Sequence, residues 1–320
     1  MLICRVGYDF FVTGGRYKPE YNLKKFGIAT IKRVIMARIE IITDSTCDIP
    51  QELINQYAIQ VLPHVVVWGN EQFRDRVDMQ PEQFYERLVS DPVYPSTAHL
   101  TILDFASAYQ RAVAHGAEEI IVVTVSSAMS GTYETALEAA PAVNVPVHVI
   151  DSKGPTMTLG WQVLAAARMR ELGRTAQEII NGVERVRKSM AQFVAMDSLE
   201  YLYKGGRIGN AKRLIGSVLN IKPLVYINHV TGLVEPAGNE RTHKKVVEKM
   251  YEQFFAALDV TKPMRVAVLH GNVLSEAQEL ANRIRDEFHP LEVLINITGP
   301  VLGVNTGPRA LALCGYNEEV

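Results

Sequence analysis

Ile120-Ile121-Val122-Val123-Thr124-Val125 runs straight into Ser126-Ser127-Ala128-Met129-Ser130-Gly131-Thr132, and residues 133–140 continue with a helical pattern. The first six residues are rich in Val and Ile, as a strand buried on both faces of a parallel sheet should be. The next seven hold three serines, a glycine and a threonine. Placed between a strand and a helix, such a loop can cradle an anion on hydroxyls and backbone amides. It lacks the lysine of a P-loop, no GxxxxGK[ST] or GxGxxG string occurs, and it is not a GxSxG elbow. Nucleotide, dinucleotide and nucleophile-elbow readings therefore have no motif behind them.

Working outward, short apolar runs at 39–43, 61–68 and 145–150 have the same character. Helical patterns lie between them, clearest at 101–116, where Ile102, Phe105, Ala106, Tyr109, Ala112 and Val113 share one face. Strand and helix in alternation predict a doubly wound, mostly parallel sheet. A helix over 157–172 stops at Gly173, and Thr175 caps the next with Glu178 three residues on. This turn divides an N-terminal α/β domain, 38–173, from a C-terminal domain, 174–320. The second half predicts strands near 193–196, 223–227, 266–269 and 293–297, helices near 211–219, 242–257 and 275–287, and a hairpin turn at Val230-Thr231-Gly232-Leu233. It reads as mixed α/β. Residues 1–37 form an extension, basic and acid-poor, with Met36 read as the start of the domain proper.

Composition narrows the function. The chain has 320 residues, 48% of them hydrophobic and 21% charged, with a net charge of −2. That balance offers no attraction to nucleic acid or to an anionic membrane surface. No apolar run reaches the roughly 18–20 residues of a membrane span. Three scattered cysteines, Cys4, Cys47 and Cys314, suit neither a disulfide framework nor zinc, and point to a reducing cytoplasm.

Four further loops could carry chemistry. Thr43-Asp44-Ser45-Thr46-Cys47-Asp48-Ile49-Pro50 leaves a strand for a helix, with Asp48 a possible cap. Tyr94-Pro95-Ser96-Thr97-Ala98-His99 offers hydroxyls before the helix that Thr101 caps. Lys204-Gly205-Gly206-Arg207-Ile208-Gly209 is a tight turn with a cation. The segment 299–309 has three glycines and two prolines and reads as a closing loop. Each alone is equally a capped helix start or a connecting loop. The eight histidines form no ligand-spaced pair. His270, at a strand end, is the one most suited to act as a base. Ser130 or His270 on a small anionic substrate is the enzyme alternative, but no activated nucleophile set is recognisable.

Taken together and in order, the strings resemble the DegV family, also known as the EDD fold. They are Thr43-Asp44-Ser45-Thr46, Pro95-Ser96-Thr97, Ser126 to Tyr133, Val149-Ile150-Asp151-Ser152, Tyr203 to Ile208, Ile221-Lys222-Pro223, Gly299-Pro300-Val301 and Thr306-Gly307-Pro308. The resemblance covers residues 38–316 or so. It implies two α/β domains with a long-chain fatty acid between them, no cofactor, and no catalysis by the chain itself. Some members of the family present the acyl group to the kinase subunit of a fatty acid kinase. By the same resemblance Thr97 and Ser130 would bond the carboxylate, with Ser96, Gly131 and Asn305 beside them. Arg241 would lie near the head group, and Arg207 at the kinase-docking edge. Three positions depart from the family pattern. Thr97-Ala98-His99-Leu100 stands for T-S-Q-P, Asn305 for a histidine, and Arg309 for a glycine.

Overall fold

The computed structural model of the chain describes residues 37–214 and 221–318. All but the last residue of the expected extension, and residues 215–220 of the expected helix at 211–219, lie outside the described residues.

The Val/Ile-rich runs form a wholly parallel sheet. Its strands are β1 (Ile39–Asp44), β2 (Gln60–Leu62), β6 (Glu119–Thr124) and β7 (Val147–Asp151), in the order β2-β1-β6-β7. Pro63 interrupts the expected strand at 61–68. A proline has no amide hydrogen to give a ladder, and the chain leaves the parallel sheet there. It continues as β3 (Val65–Trp68), which joins β4 (Glu71–Arg74) and β5 (Ser96–Ala98) in a small antiparallel sheet. The C-terminal sheet is mixed, as expected. It comprises β8 (Met190–Ala195), β9 (Lys222–Ile227), β10 (Val234–Glu240), β11 (Met264–His270), β12 (Glu292–Ile297) and β13 (Leu311–Asn317), in the order β10-β9-β8-β13-β11-β12. Only β11 and β12 are parallel within it. The β9–β10 hairpin turns at Gly232, whose φ of +76° glycine adopts without strain.

The helices are α1 (Gln51–Gln56), α2 (Pro81–Ser90), α3 (Ile102–Ala114), α4 (Thr132–Ala139), α5 (Met157–Glu171), α6 (Ala176–Lys188), α7 (Glu200–Lys204), α8 (His243–Ala256), α9 (Leu274–Phe288) and α10 (Pro300–Thr306). Thr101 and Thr175 both close capping boxes, with Asp104 and Glu178. α3 and α4 cover the outer face of the parallel sheet, and α8 and α9 the outer face of the mixed one. Between the sheets lies α5. Residues 157–167 are buried without a break, because their sequence is apolar nearly all round and both faces have a sheet to meet. One core therefore joins Ile41 and Val123 of the first sheet to Val194 and Ala312 of the second through Trp161 and Leu164. Gly160 lets the helix close on the turn at Ser45–Cys47, since a Cβ there would meet Cys47 O at 2.5 Å. Residues 300–306, expected as loop, make the short helix α10, which packs with α2 over the antiparallel sheet.

Among the described residues no helix is long and apolar enough to cross a membrane.

Candidate functional site

Ligands of open α/β sheets lie beyond the carboxyl ends of the strands, and there a single cavity draws on every sheet of the molecule. It holds about 980 Å³ of empty space, its open mouth included. Its walls differ in kind. Val194, Met196, Val225, Ile227, Leu269 and Ala312 of the mixed sheet and its borders give an apolar side. Hydroxyls and imidazoles come chiefly from loops: Thr46 after β1, His64 between β2 and β3, Thr97 on β5, His99, Ser130 after β6 and Thr298 after β12. Thr156 and Gln192 also line it, but they bond each other at 3.2 Å.

Strand geometry decides which residues of the Thr97 segment reach the cavity. Thr97 lies opposite Val66 in the β3–β5 ladder. Successive side chains of a strand point to opposite faces. Thr97 faces the cavity, so Ser96, which is exposed, does not. In the serine loop, Ser126 donates to Gly232 O at 2.9 Å and Ser127 to the Asp151 carboxylate. Met129 N and Ser130 N both donate to Ser126 O, at 2.9 and 3.1 Å. Clamped in this way, the loop turns Met129 and Ser130 to the cavity, with Ser130 Oγ 2.7 Å from Thr132 Oγ1. Gly131 is the exposed N-cap of α4. A Cβ there would sit 3.7 Å from His99 Nε2, so the glycine borders the site through His99 rather than lining it.

Asn305 lines the cavity from α10. Its Nδ2 donates to Val301 O at 3.2 Å and its buried Oδ1 has no hydrogen-bond partner. Arg207 lines the rim, donating to Met129 O and Gly205 O at 3.2 and 2.7 Å. Arg241, expected near the head group, is not among the residues that line the cavity. It is exposed in the turn between β10 and α8. Arg309 is also elsewhere, paired with Asp197 and Glu276 at 3.5 and 3.1 Å. Its charge is balanced by these two acids.

Ser130 and His270 do not meet as nucleophile and base. His270 Nδ1 accepts from Val273 N at 3.2 Å, its ring is buried, and burial pushes its pKa down. It does not line the cavity. Among the described residues no group of His, Cys, Asp and Glu is placed to hold a metal ion.

Beneath the polar wall lie charges that no local motif announces. Asp48 does not cap α1, whose N-cap is Pro50. It takes the left-handed conformation at φ +47° and turns its buried carboxylate to Arg76 Nη2, at 2.8 Å, and Gly299 N, at 2.9 Å. Asp75 accepts from Ser45 Oγ at 2.7 Å. Burial pushes its carboxyl up to about 6, against the pull of Arg76 and Ser45. Asp44 accepts from Thr46 N and Val125 N at 3.0 and 2.8 Å and lies 3.4 Å from His64 Nε2. Burial alone would raise the Asp44 carboxyl, but His64, Thr46 and Val125 outweigh it and hold it below the ordinary range.

A pH effect follows for Asp75. Its proton is held more tightly in the folded than in the unfolded chain, so the folded state loses stability as pH rises from about 4, the unfolded value, to about 6. Asp75→Asn keeps an oxygen for Ser45 and removes the titration. The urea midpoint of the variant should fall less between those pH values than that of the parent. An unchanged slope would remove Asp75 as its source.

The comparisons with known proteins agree with this architecture. The DegV family model, described as an uncharacterised protein family, matches residues 38–318. Protein DegV of Bacillus subtilis is 30% identical over 278 residues, 86% of this chain and 98% of that one. A fatty acid-binding DegV family protein from Thermus thermophilus superposes with a TM-score of 0.81 at 28% identity, covering 88% of this chain and all of that one. A stearic acid-binding protein from Eubacterium ventriosum gives 0.79 at 25% identity, covering 87% and 98%. With a family model matched along nearly the whole described chain and a relative 30% identical over almost its full length, this chain belongs to the DegV family.

Proposed function

We propose that this chain holds one long-chain fatty acid between its α/β domains, 38–173 and 174–320. The carboxylate lies at Thr97 and Ser130, and the acyl chain runs along the mixed sheet. The observation that carries the reading is the division of the cavity wall into an apolar side from the mixed sheet and a hydroxyl-bearing side from the loops. Asn305 stands with Thr97 and Ser130 as a further donor, although turning its amide to the head group gives up its bond to Val301 O. The solved relatives from Thermus thermophilus and Eubacterium ventriosum, described as fatty acid- and stearic acid-binding, support the same reading.

Hydroxyl donors fix a carboxylate without the salt bridge that would blunt its nucleophilicity. That property suits a carrier which presents its acyl group to a separate fatty acid kinase subunit in the cytoplasm. On this reading the partner supplies the catalysis, the chain needs no cofactor, and exposed Arg207 at the rim belongs to the docking edge.

Gentle solvent extraction followed by mass spectrometry tests the binding. About one long-chain fatty acid per chain is expected; a lipid-free protein that turns over esters or phosphates would overturn the reading. With a fatty acid kinase and ATP added, Thr97→Ala should lower acyl-phosphate formation more than lipid occupancy. Equal losses would mean that Thr97 supplies affinity and not aim.

A further inference from the structure

His64 has an arrangement that packing does not require. Its side chain is 4% exposed and lines the cavity. Nδ1 lies 3.4 Å from Ala98 O, and Nε2 lies 3.4 Å from Asp44 Oδ1. Both ring nitrogens thus face oxygen acceptors, which favours a proton on each. Asp44, 0% exposed, takes its own hydrogen bonds from Thr46 and Val125. Nε2 is left at ion-pair distance from a carboxylate with no hydrogen bond of its own. A buried donor in that position is costly until something accepts from it.

The surroundings say what would. Ala98, whose carbonyl faces the ring, adjoins Thr97. Asp44, whose carboxylate faces it, also holds Thr46. The imidazole is therefore fixed between β5 and the end of β1, and β5 and the turn after β1 each bring a hydroxyl to the polar wall of the cavity.

We propose that His64 Nε2 donates to an ionised oxygen of the ligand head group, so that the cavity selects a carboxylate over an uncharged lipid with the same chain. This rests on the fatty acid reading of the cavity. Asp44 lies 3.4 Å from the same nitrogen and balances the charge of the ring. The donor is strong, yet the His64–Asp44 pair adds no net charge to neutralise the carboxylate that must later react. Thr97 and Ser130 aim the head group, and His64 recognises that it is an anion.

The test compares cis-9-octadecenoic acid with the corresponding alcohol, on the full chain and on His64→Gln, by displacement of a fluorescent fatty acid. The acid should bind His64→Gln roughly 10- to 100-fold more weakly, the range for losing one charge-assisted hydrogen bond, and the alcohol within about twofold of the parent. An equal loss for both ligands makes His64 a packing residue and overturns the proposal, as does an acid affinity that does not change. A parent protein that takes up neither ligand overturns the fatty acid reading itself, and this inference with it. Should His64→Gln fail to fold, ring ¹⁵N shifts of His64 in the unaltered protein decide the matter. They should move on adding the acid and stay put on adding the alcohol; shifts indifferent to the acid count against the proposal.

Discussion

Arg76→Met is expected to lower the unfolding free energy by about 3–5 kcal/mol, the usual cost of removing one partner from a buried ion pair. A value near the lower end is expected, because the guanidinium is 25% exposed whereas its partner Asp48 is fully buried. Arg76 does more than balance charge. Nη2 donates to Asp48 Oδ1 at 2.8 Å and to Ile297 O at 2.6 Å. Asp48 Oδ1 also accepts from Gly299 N, and Asp48 O accepts from Asn296 Nδ2. The group therefore pins the loop after β1 to the end of β12 and the start of α10, next to Thr46 and Thr298 in the cavity wall. Methionine keeps the apolar stem of the side chain and strands Asp48 and Asp75 without their cation. Urea unfolding measures the loss, and a double-mutant cycle identifies its source. Asp48→Asn added to Arg76→Met should recover part of the stability, since the stranded charge is gone. A single variant that loses less than about 1 kcal/mol, the scale of an exposed ion pair, would show that the pin does not hold the two segments together.

These residues also mark where sequence reading succeeds and where it stops. Regular elements follow from patterns within a few residues of each other. The Val/Ile runs of β1, β6 and β7, the capping boxes at Thr101 and Thr175 and the Gly232 turn were all legible for that reason. Thr97 and Ser130 were legible only as members of an ordered set of loops, and the fold does bring both to one cavity. Residues whose roles depend on distant partners were not legible. Asp48 looks like a helix cap until its bond to Gly299, 251 residues away, is seen. Arg309 stands as a bare departure from the family's glycine until Asp197 and Glu276 are found beside it. Ser96 is expected beside Thr97 at the site because nothing local shows that a three-residue strand, paired to β3, turns the two to opposite faces. His64 gave no signal at all. It follows Pro63 inside an apolar run, and the break that Pro63 imposes between two sheets is what carries the ring to the cavity.

Ala312→Phe should weaken binding of a C16 fatty acid by about 100- to 1,000-fold while leaving the protein folded. The register explains the choice. Ala312 on β13 lies opposite Val194 of β8 and Leu269 of β11. Residues opposite one another in a sheet share a face, and all three line the cavity. Ala312 is thus the smallest residue in the middle of the apolar wall, and a phenyl ring there projects into the space assigned to the acyl chain. A C16 chain buries roughly 14 methylenes at about 0.8 kcal/mol each, about 11 kcal/mol in all. Association costs about 4–15 kcal/mol, so affinity survives only while most of the chain is buried. Displacing about four to five methylenes removes about 3–4 kcal/mol, which is the stated loss. Ala312 also belongs to the core between the sheets, so overpacking should cost about 1–3 kcal/mol, which lowers thermal stability but leaves the chain folded. Calorimetric titration with acids of graded length separates a blocked tail from a damaged head-group site. A tail block spares the shorter acids and penalises the longer ones. A uniform loss at every length would place the fault at Thr97 and Ser130, and binding within about threefold of the parent for all lengths would show that the acyl chain does not run along the mixed sheet.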